Sequence, residues 1–455
     1  MTTAAPPNLL IIMVDQWHTE LLDRHRRGDF ALPNLDRLGE QAVRFEQAYC
    51  NAPICTPCRA SFQLGTAVRH HGVLGNDRCL PPEPPTLPRR LNDAGYQTSY
   101  VGKWHLDPGD GRGWRRFTSA QGEYRQRAAE IGFDPRAGWA LMAGPDAPHA
   151  GPFPADAADH VDGVVADLSR QELRRLAQGE APFALMTSFY GPHAPYWVPQ
   201  PWLDRIDPES MPLPENFDDA MQGKPAIHSA FRCRAWGEQW DESKWRRVRA
   251  AYAAYAMMLD AFIGQLLEDL DRSGAAEQTL VLFTADHGEM NGEHRMIYKG
   301  PFMYEAIVHV PALLHVPGRG GVAVPGLIET VDLTATLLGA AGVPAAEGET
   351  DGRNLWPGLV AGDVGGIGRE YVISEFYEAN WVKPILEQPV AMIRDQRHKL
   401  VATRGQAWEL YDMHESPREV HNRIDDPSLR PVVQQLSRQL GDAVDWVRAD
   451  AGAAV

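Results

Sequence analysis

Cysteine is scarce in this chain: Cys50, Cys55, Cys58, Cys79 and Cys233 are the only five among 455 residues. A small odd number, with no visible secretion signal, excludes a disulfide-stapled scaffold and suits a reducing compartment, so the protein is expected to be cytoplasmic. Positive charge is in deficit too, with 44 Lys and Arg against 60 Asp and Glu and a net charge of −16. That field repels polyanions, which removes nucleic acid as an expected partner. Long apolar runs are missing: Leu9–Val14 is too short for a bilayer span or a signal-peptide core, so no membrane partner is expected. Also absent are a Walker loop, a Rossmann glycine motif, a heptad run and an internal repeat, and with them the readings each would support.

What is present is an ordinary globular composition, 44% hydrophobic and 23% charged, in a chain longer than one core usually fills. One pattern recurs. A continuous apolar run of strand length ends in polar, chemically useful residues: Leu9–Val14 in Asp15 and Gln16, Tyr96–Val101 in Lys103 and His105, Phe183–Phe189 in the segment holding His193, and Thr279–Thr284 in Asp286 and His287. Such runs mark parallel strands covered on both faces, and ligands bind beyond the carboxyl ends of strands in sheets of that kind. Helical patterns at Val161–Leu176, Trp245–Leu270 and Asp332–Ala341 alternate with them, which predicts an α/β fold. Residues 107 to about 160 read as an irregular insertion, and 200–244 show no period. After a Gly-rich stretch at 362–368, four short strands and a helix near Val432–Val447 predict a small antiparallel domain. The expected division is a catalytic α/β domain over 1–365 and a C-terminal α+β subdomain over 366–455.

The segment Cys55-Thr56-Pro57-Cys58-Arg59 fits C-x-P-x-R, and its Cys-Thr-Pro-Cys core also fits a redox or half-zinc C-x-x-C. Pro57 favours a helix start, which sets Cys55 beside amides and a dipole that favour an anion. A thioredoxin-like unit leaves Asp286, His287 and Lys299 unaccounted for, and a zinc site needs a second pair that Cys50 and Cys79 do not supply. Asp15, Gln16, Asp286 and His287 are candidate cation ligands. Oxygen donors joined by an imidazole tilt the choice towards manganese or another transition ion over calcium. The cations Arg59, Lys103 and Lys299, with His105 and His193, suit an anionic tetrahedral substrate.

Six stretches carry a family resemblance in order: Asn8 to Asp15-Gln16, Cys55 to Arg59, Gly102-Lys103-Trp104-His105, Gly191-Pro192-His193-Ala194-Pro195, Thr284 to Glu289, and Tyr298-Lys299-Gly300-Pro301. Over nearly its whole length the chain resembles the type I sulfatases of the alkaline-phosphatase superfamily. The resemblance implies a large mixed sheet sandwiched by helices, with a small C-terminal antiparallel sheet. It implies hydrolysis of aryl or alkyl sulfate monoesters to alcohol and inorganic sulfate. The metal would be one divalent ion, Ca2+ or Mn2+, held by Asp15, Gln16, Asp286, His287 and the group at Cys55. Cys55 would be oxidised to formylglycine by a formylglycine-generating enzyme, and its hydrated aldehyde, deprotonated with help from Asp286, would be the nucleophile. Arg59 and Lys103 would orient it and support the sulfate, His193 and Lys299 would serve the leaving oxygen, and His105 would be the base that regenerates the aldehyde. A homo-oligomer is left open.

Several residues depart from the commonest family pattern. Cys58 stands where serine is usual, Gln16 where many members carry a second aspartate, and His287 where many carry asparagine. The Asp, Gln, Asp, His set resembles the branch holding choline-sulfatase-like enzymes and phosphonate monoester hydrolases. Against the phosphonate side, Lys103 and His105 stand where those hydrolases tend to carry tyrosine and threonine; Asn76 suits either as a substrate contact. The alternatives are therefore a phosphonate monoester or phosphodiester hydrolase with the same nucleophile, and a catalytically inactive anion-binding homologue.

Overall fold

The fold is built around Asn8–Val14, a strand so apolar that every residue after Asn8 is buried. A computed structural model describes residues 6–23, 30–82, 85–106, 111–142, 146–234, 237–346, 348–378 and 388–454. Asn8–Val14 runs parallel to both neighbours, Leu9 beside Ala184 on one side and Leu280 on the other. Across the sheet the strands follow the order Val322–Glu329, Val43–Tyr49, Ala312–His315, Thr279–Ala285, Asn8–Val14, Phe183–Ser188, Gln97–Gly102 and Arg116–Thr118, with His309–Val310 paired to the second. Ala312–His315 and His309–Val310 pair antiparallel, so the sheet is mixed.

Two groups of helices cover it, and the central strands are buried on both faces. Pro33–Gln41, Val161–Ala177 and Glu242–Ser273 pack together in one group, and Cys55–Leu64, Leu87–Asp93 and Thr330–Ala340 in the other. Glu242–Ser273 is long and apolar enough for a bilayer, yet 83% of its most apolar window is buried in the protein. It is a core helix, started by Asp241, whose carboxylate accepts from the Lys244 amide at 2.7 Å. Gly274 ends it in the left-handed region at φ 76°, where a side chain would be strained.

The C-terminal sheet is antiparallel, in the order Val372–Phe376, Val390–Arg394, His398–Thr403, Glu409–Asp412, and packs its own apolar residues, among them Ile393, Leu400 and Leu410, against Leu436 and Leu440. It is pinned to the larger part by a buried lysine: Lys399 Nζ donates to Met303 O at 2.7 Å and pairs with Glu305 at 2.9 Å.

Three local expectations differ from what is observed. The insertion, of which 107–110 and 143–145 lie outside the described residues, contains a helix at Gln121–Ile131 and a strand at Ala150–Phe153 paired with Tyr196–Pro199. That helix buries only Ala128, so it had no apolar period to read. Residues 200–244 contain a helix at Ala226–Arg234. The last helix is two, Arg430–Ala443 and Asp445–Ala454, broken where Val444 turns extended at φ −129° and buries its side chain.

Candidate active site

The strand register places the polar residues together. Val14 is level with Ala285, Met13 with Ser188 and Gly102 with Ser188, so Asp15, Asp286 and Lys103 emerge side by side at one sheet edge. Facing them is the wholly buried helix Cys55–Leu64, whose first residue is Cys55. Its start lacks a cap from Ile54; instead the Thr56 amide donates to Asn76 Oδ1 at 3.0 Å, and the Thr56 hydroxyl to His105 O at 2.6 Å.

Around the Cys55 sulfur lie His287 Nε2 at 3.1 Å, Lys103 Nζ at 3.8 Å and Asp15 Oδ1 at 3.9 Å. Arg59, one helical turn on, bridges both acids: Nη2 meets Asp15 Oδ2 and Nε meets Asp286 Oδ2, each at 2.9 Å, while Nη1 donates to Lys103 O and Ser188 Oγ. Lys103 Nζ also pairs with Asp15 Oδ2 at 2.5 Å. Asp286 Oδ1 accepts from the amides of Gln16 and His287. Lys299 Nζ donates to Gln16 Oε1 and to His193 Nε2, both at 2.6 Å. His193 Nδ1 faces Ala194 O at 2.6 Å, which makes Nδ1 the protonated nitrogen and Nε2 the acceptor.

Burial raises the pKa of both carboxyls, but their partners differ. Lys103, His193 and Arg59 outweigh burial at Asp15 and hold it well below the usual carboxylate range. Burial, then Asp15, pushes Asp286 up to about 6. Burial and Asp15 disfavour a thiolate at Cys55, yet Lys103, Lys299 and His287 prevail and hold the thiol well below its ordinary value. Burial, helped by Lys299 and Lys103, pushes His193 down to about 4, so its imidazole is neutral at pH 7.

Asp15, Cys55, Asp286 and His287 are all buried, and their ligand atoms lie within 4.8 Å of one another. Two carboxylates, an imidazole and a sulfur fit a divalent cation. The His287 ring is oriented for it: Nδ1 lies 2.9 Å from Gly288 O and donates to it, leaving the Nε2 lone pair to the cluster. A second group, His18, Glu20 and Glu293, is internally satisfied. His18 Nδ1 accepts from the Glu20 amide, Nε2 faces Glu293 at 3.3 Å, and Arg418 pairs with both glutamates.

The structure thus gathers Asp15, Cys55, Arg59, Lys103, His193, Asp286, His287 and Lys299 in one cluster, with the Gln16 amide held between Lys299 and Glu289. His105 and Asn76 stand apart in role: the His105 side chain is exposed while its carbonyl binds Thr56, and the Asn76 oxygen caps the helix that begins at Cys55. Trp104 packs on Tyr100 and Phe117, and Trp197 on Phe133 and Phe153. Three contributors carried no signal that singled them out. Ser188 lies within the run Phe183–Phe189 and Glu289 at the end of the stretch Thr284 to Glu289, and neither was among the expected site residues. Asp162, early in a helix, accepts from the amides of Tyr190 and Gly191 at 2.6 and 3.0 Å and from the Tyr255 hydroxyl at 2.6 Å, anchoring the segment that holds His193. Cys50, Cys55, Cys58 and Cys79 are free thiols; the Cys233 side chain lies outside the described residues.

A mixed sheet flanked by helices, with a cluster that could hold a metal and the cations Arg59, Lys103 and Lys299 at its carboxyl edge, fits a hydrolase of anionic esters. Comparison with known proteins makes the class specific. The family described as Sulfatase matches residues 7–343, and that described as N-sulphoglucosamine sulphohydrolase, C-terminal, matches 292–445. The chain is 29% identical over 452 residues to the choline-sulfatase of Rhizobium meliloti (strain 1021), covering 93% of this chain and 84% of that one. It is 25% identical over 504 residues to the multifunctional alkaline phosphatase superfamily protein PehA of Trinickia caryophylli, covering 96% and 95%. Among solved structures, the phosphonate monoester hydrolase SpPMH from Silicibacter pomeroyi superposes with a TM-score of 0.82 at 25% identity, covering 95% of this chain and 94% of that one. The protein belongs to the sulfatase family of the alkaline-phosphatase superfamily, a metal-dependent family, and its class is that of a sulfuric ester hydrolase.

Proposed function

We propose that the protein hydrolyses aryl or alkyl sulfate monoesters at the Cys55 cluster, after Cys55 has been converted to formylglycine by a formylglycine-generating enzyme. The observation that carries the reading is the position of Cys55: buried at a helix start, within 4 Å of His287, Lys103 and Asp15. A divalent ion, Mn2+ by the donor set, would be held by Asp15, Asp286, His287, Gln16 and the residue at 55, and would supply Lewis-acid polarisation. The chain's own residues do the rest. Arg59 keeps the two acids apart and oriented. Lys103 supports negative charge on the transferred sulfuryl oxygens. Because the His193 imidazole is neutral and accepts from Lys299, the proton available to the departing alkoxide is on Lys299, with His193 fixing its direction. By the family resemblance, His105, whose side chain is exposed, would take the proton whose removal regenerates the aldehyde.

The likeness to phosphonate monoester hydrolases favours a second reading, the same machinery acting on phosphonate monoesters or phosphodiesters. The test is kcat/KM on a matched aryl sulfate and aryl phosphonate monoester, with converted protein. Faster sulfate turnover supports the proposal; phosphonate turnover faster by orders of magnitude replaces it with the second reading. A cytoplasmic location belongs to the proposal, supported by the free thiols.

A further inference from the structure

Glu289 has no solvent-exposed surface, and the chemistry above gives it no task. Its Oε1 accepts from the Asn291 amide at 3.0 Å and from the Tyr298 amide; its Oε2 accepts from Gln16 Nε2. An ionised carboxylate can only accept. The Gln16 amide must therefore turn its NH2 towards Glu289 and its oxygen the other way, where Lys299 Nζ, which can only donate, meets it at 2.6 Å. Acceptor on one side and donor on the other leave a single orientation of the amide. The Gln16 backbone cannot adjust instead: it is held at φ 65°, its N–H on Asp286 Oδ1.

We propose that Glu289 is a positioning residue that fixes the Gln16 amide oxygen towards the metal cluster and, through the Tyr298 amide, sets the turn that carries Lys299. The proposal rests on the reading of Gln16 as an oxygen ligand. Glu289→Gln is nearly isosteric and isolates the effect. The two backbone amides retain the oxygen of the new side chain, so its NH2 faces the NH2 of Gln16; the Gln16 amide flips and presents a donor to Lys299 and to the cation.

The experiment is isothermal titration of chelator-stripped, full-length protein with Mn2+, alongside thermal melts. Glu289→Gln is expected to weaken Mn2+ binding roughly 10–100-fold, as does Gln16→Ala. The double swap, Gln16→Glu with Glu289→Gln, restores an acceptor facing a donor and an oxygen facing Lys299, and is expected to recover affinity to within a few-fold. A merely structural Glu289 predicts no recovery in the swap, and that result overturns the proposal. Unchanged affinity in Glu289→Gln alongside weakened binding in Gln16→Ala also overturns it, while leaving the ligand reading intact. Unchanged affinity in Gln16→Ala defeats the ligand reading and this proposal with it. If the single variant does not fold, the swap decides: folded with restored affinity supports the assignment, and unfolded or weakly binding overturns it.

Discussion

The Cys58 thiol donates to the main-chain carbonyl of Asp286 at 2.7 Å, with both residues buried. The helix that presents Cys55 is thereby tied to the strand end that presents Asp286 and His287, and a hydroxyl at position 58 could make the same bond. Cys58→Ala is expected to lose about 1–3 kcal/mol in urea unfolding by leaving that carbonyl without its donor, and Cys58→Ser less than about 1 kcal/mol. Equal losses in the two variants would show that the hydrogen bond is not what holds the two elements together.

Arg59 makes four hydrogen bonds from a guanidinium that is 2% exposed, two of them to carboxylates with no exposure. Arg59→Met leaves Asp15 and Asp286 facing each other without it, at an expected cost of about 3–5 kcal/mol. Arg59→Lys should recover little, because one ammonium cannot reproduce a planar fork. Thermal melts in chelator and in Mn2+ check this. The deficit should narrow with the cation, and a variant that melts like the parent in chelator would contradict it.

Asp162, outside the cluster that could hold a metal, gives a pH signature of its own. Burial pushes its folded value up from 3.8 to about 6, against its hydrogen bonds from Tyr255, Tyr190 and Gly191. A raised folded value means that the unfolded chain releases the proton first. The group's contribution to stability is full below 3.8, declines as pH rises through 6, and is flat above, by about 3 kcal/mol in all. Subtracting the unfolding free energy of Asp162→Asn from that of the parent at each pH cancels the other titrations. The difference should fall between pH 4 and 6; a rise would refute the assignment.

The pairing of Lys299 with His193 predicts dependence on the leaving group. Lys299→Ala should lower kcat on an alkyl sulfate by about 100-fold or more, and on a nitrophenyl sulfate by much less, since a good leaving group needs no proton. Equal losses on both would place Lys299 in sulfate binding rather than at the leaving oxygen.

The sheet and most of the cluster were legible in the sequence for one physical reason. A strand buried on both faces is a continuous apolar run, and the polar residues just after it stand out, as Asp15, Lys103 and Asp286 do. The insertion was not legible because its helix at Gln121–Ile131 buries almost nothing and carries no period. Glu289, Ser188 and Asp162 were not legible as contributors because each acts through a backbone amide or another side chain, and such roles leave no spacing in the chain. His105 shows the converse. Its motif position marked it, yet in the fold its carbonyl, not its ring, makes the contact to Thr56.

The most direct test of the central claim is mass spectrometry of the peptide spanning Cys55, taken from protein made in its own host and active on an aryl sulfate. An aldehyde in place of the thiol at position 55 and an intact thiol at Cys58 are the expected result. An unmodified Cys55 thiol in protein that turns over sulfate esters would contradict it.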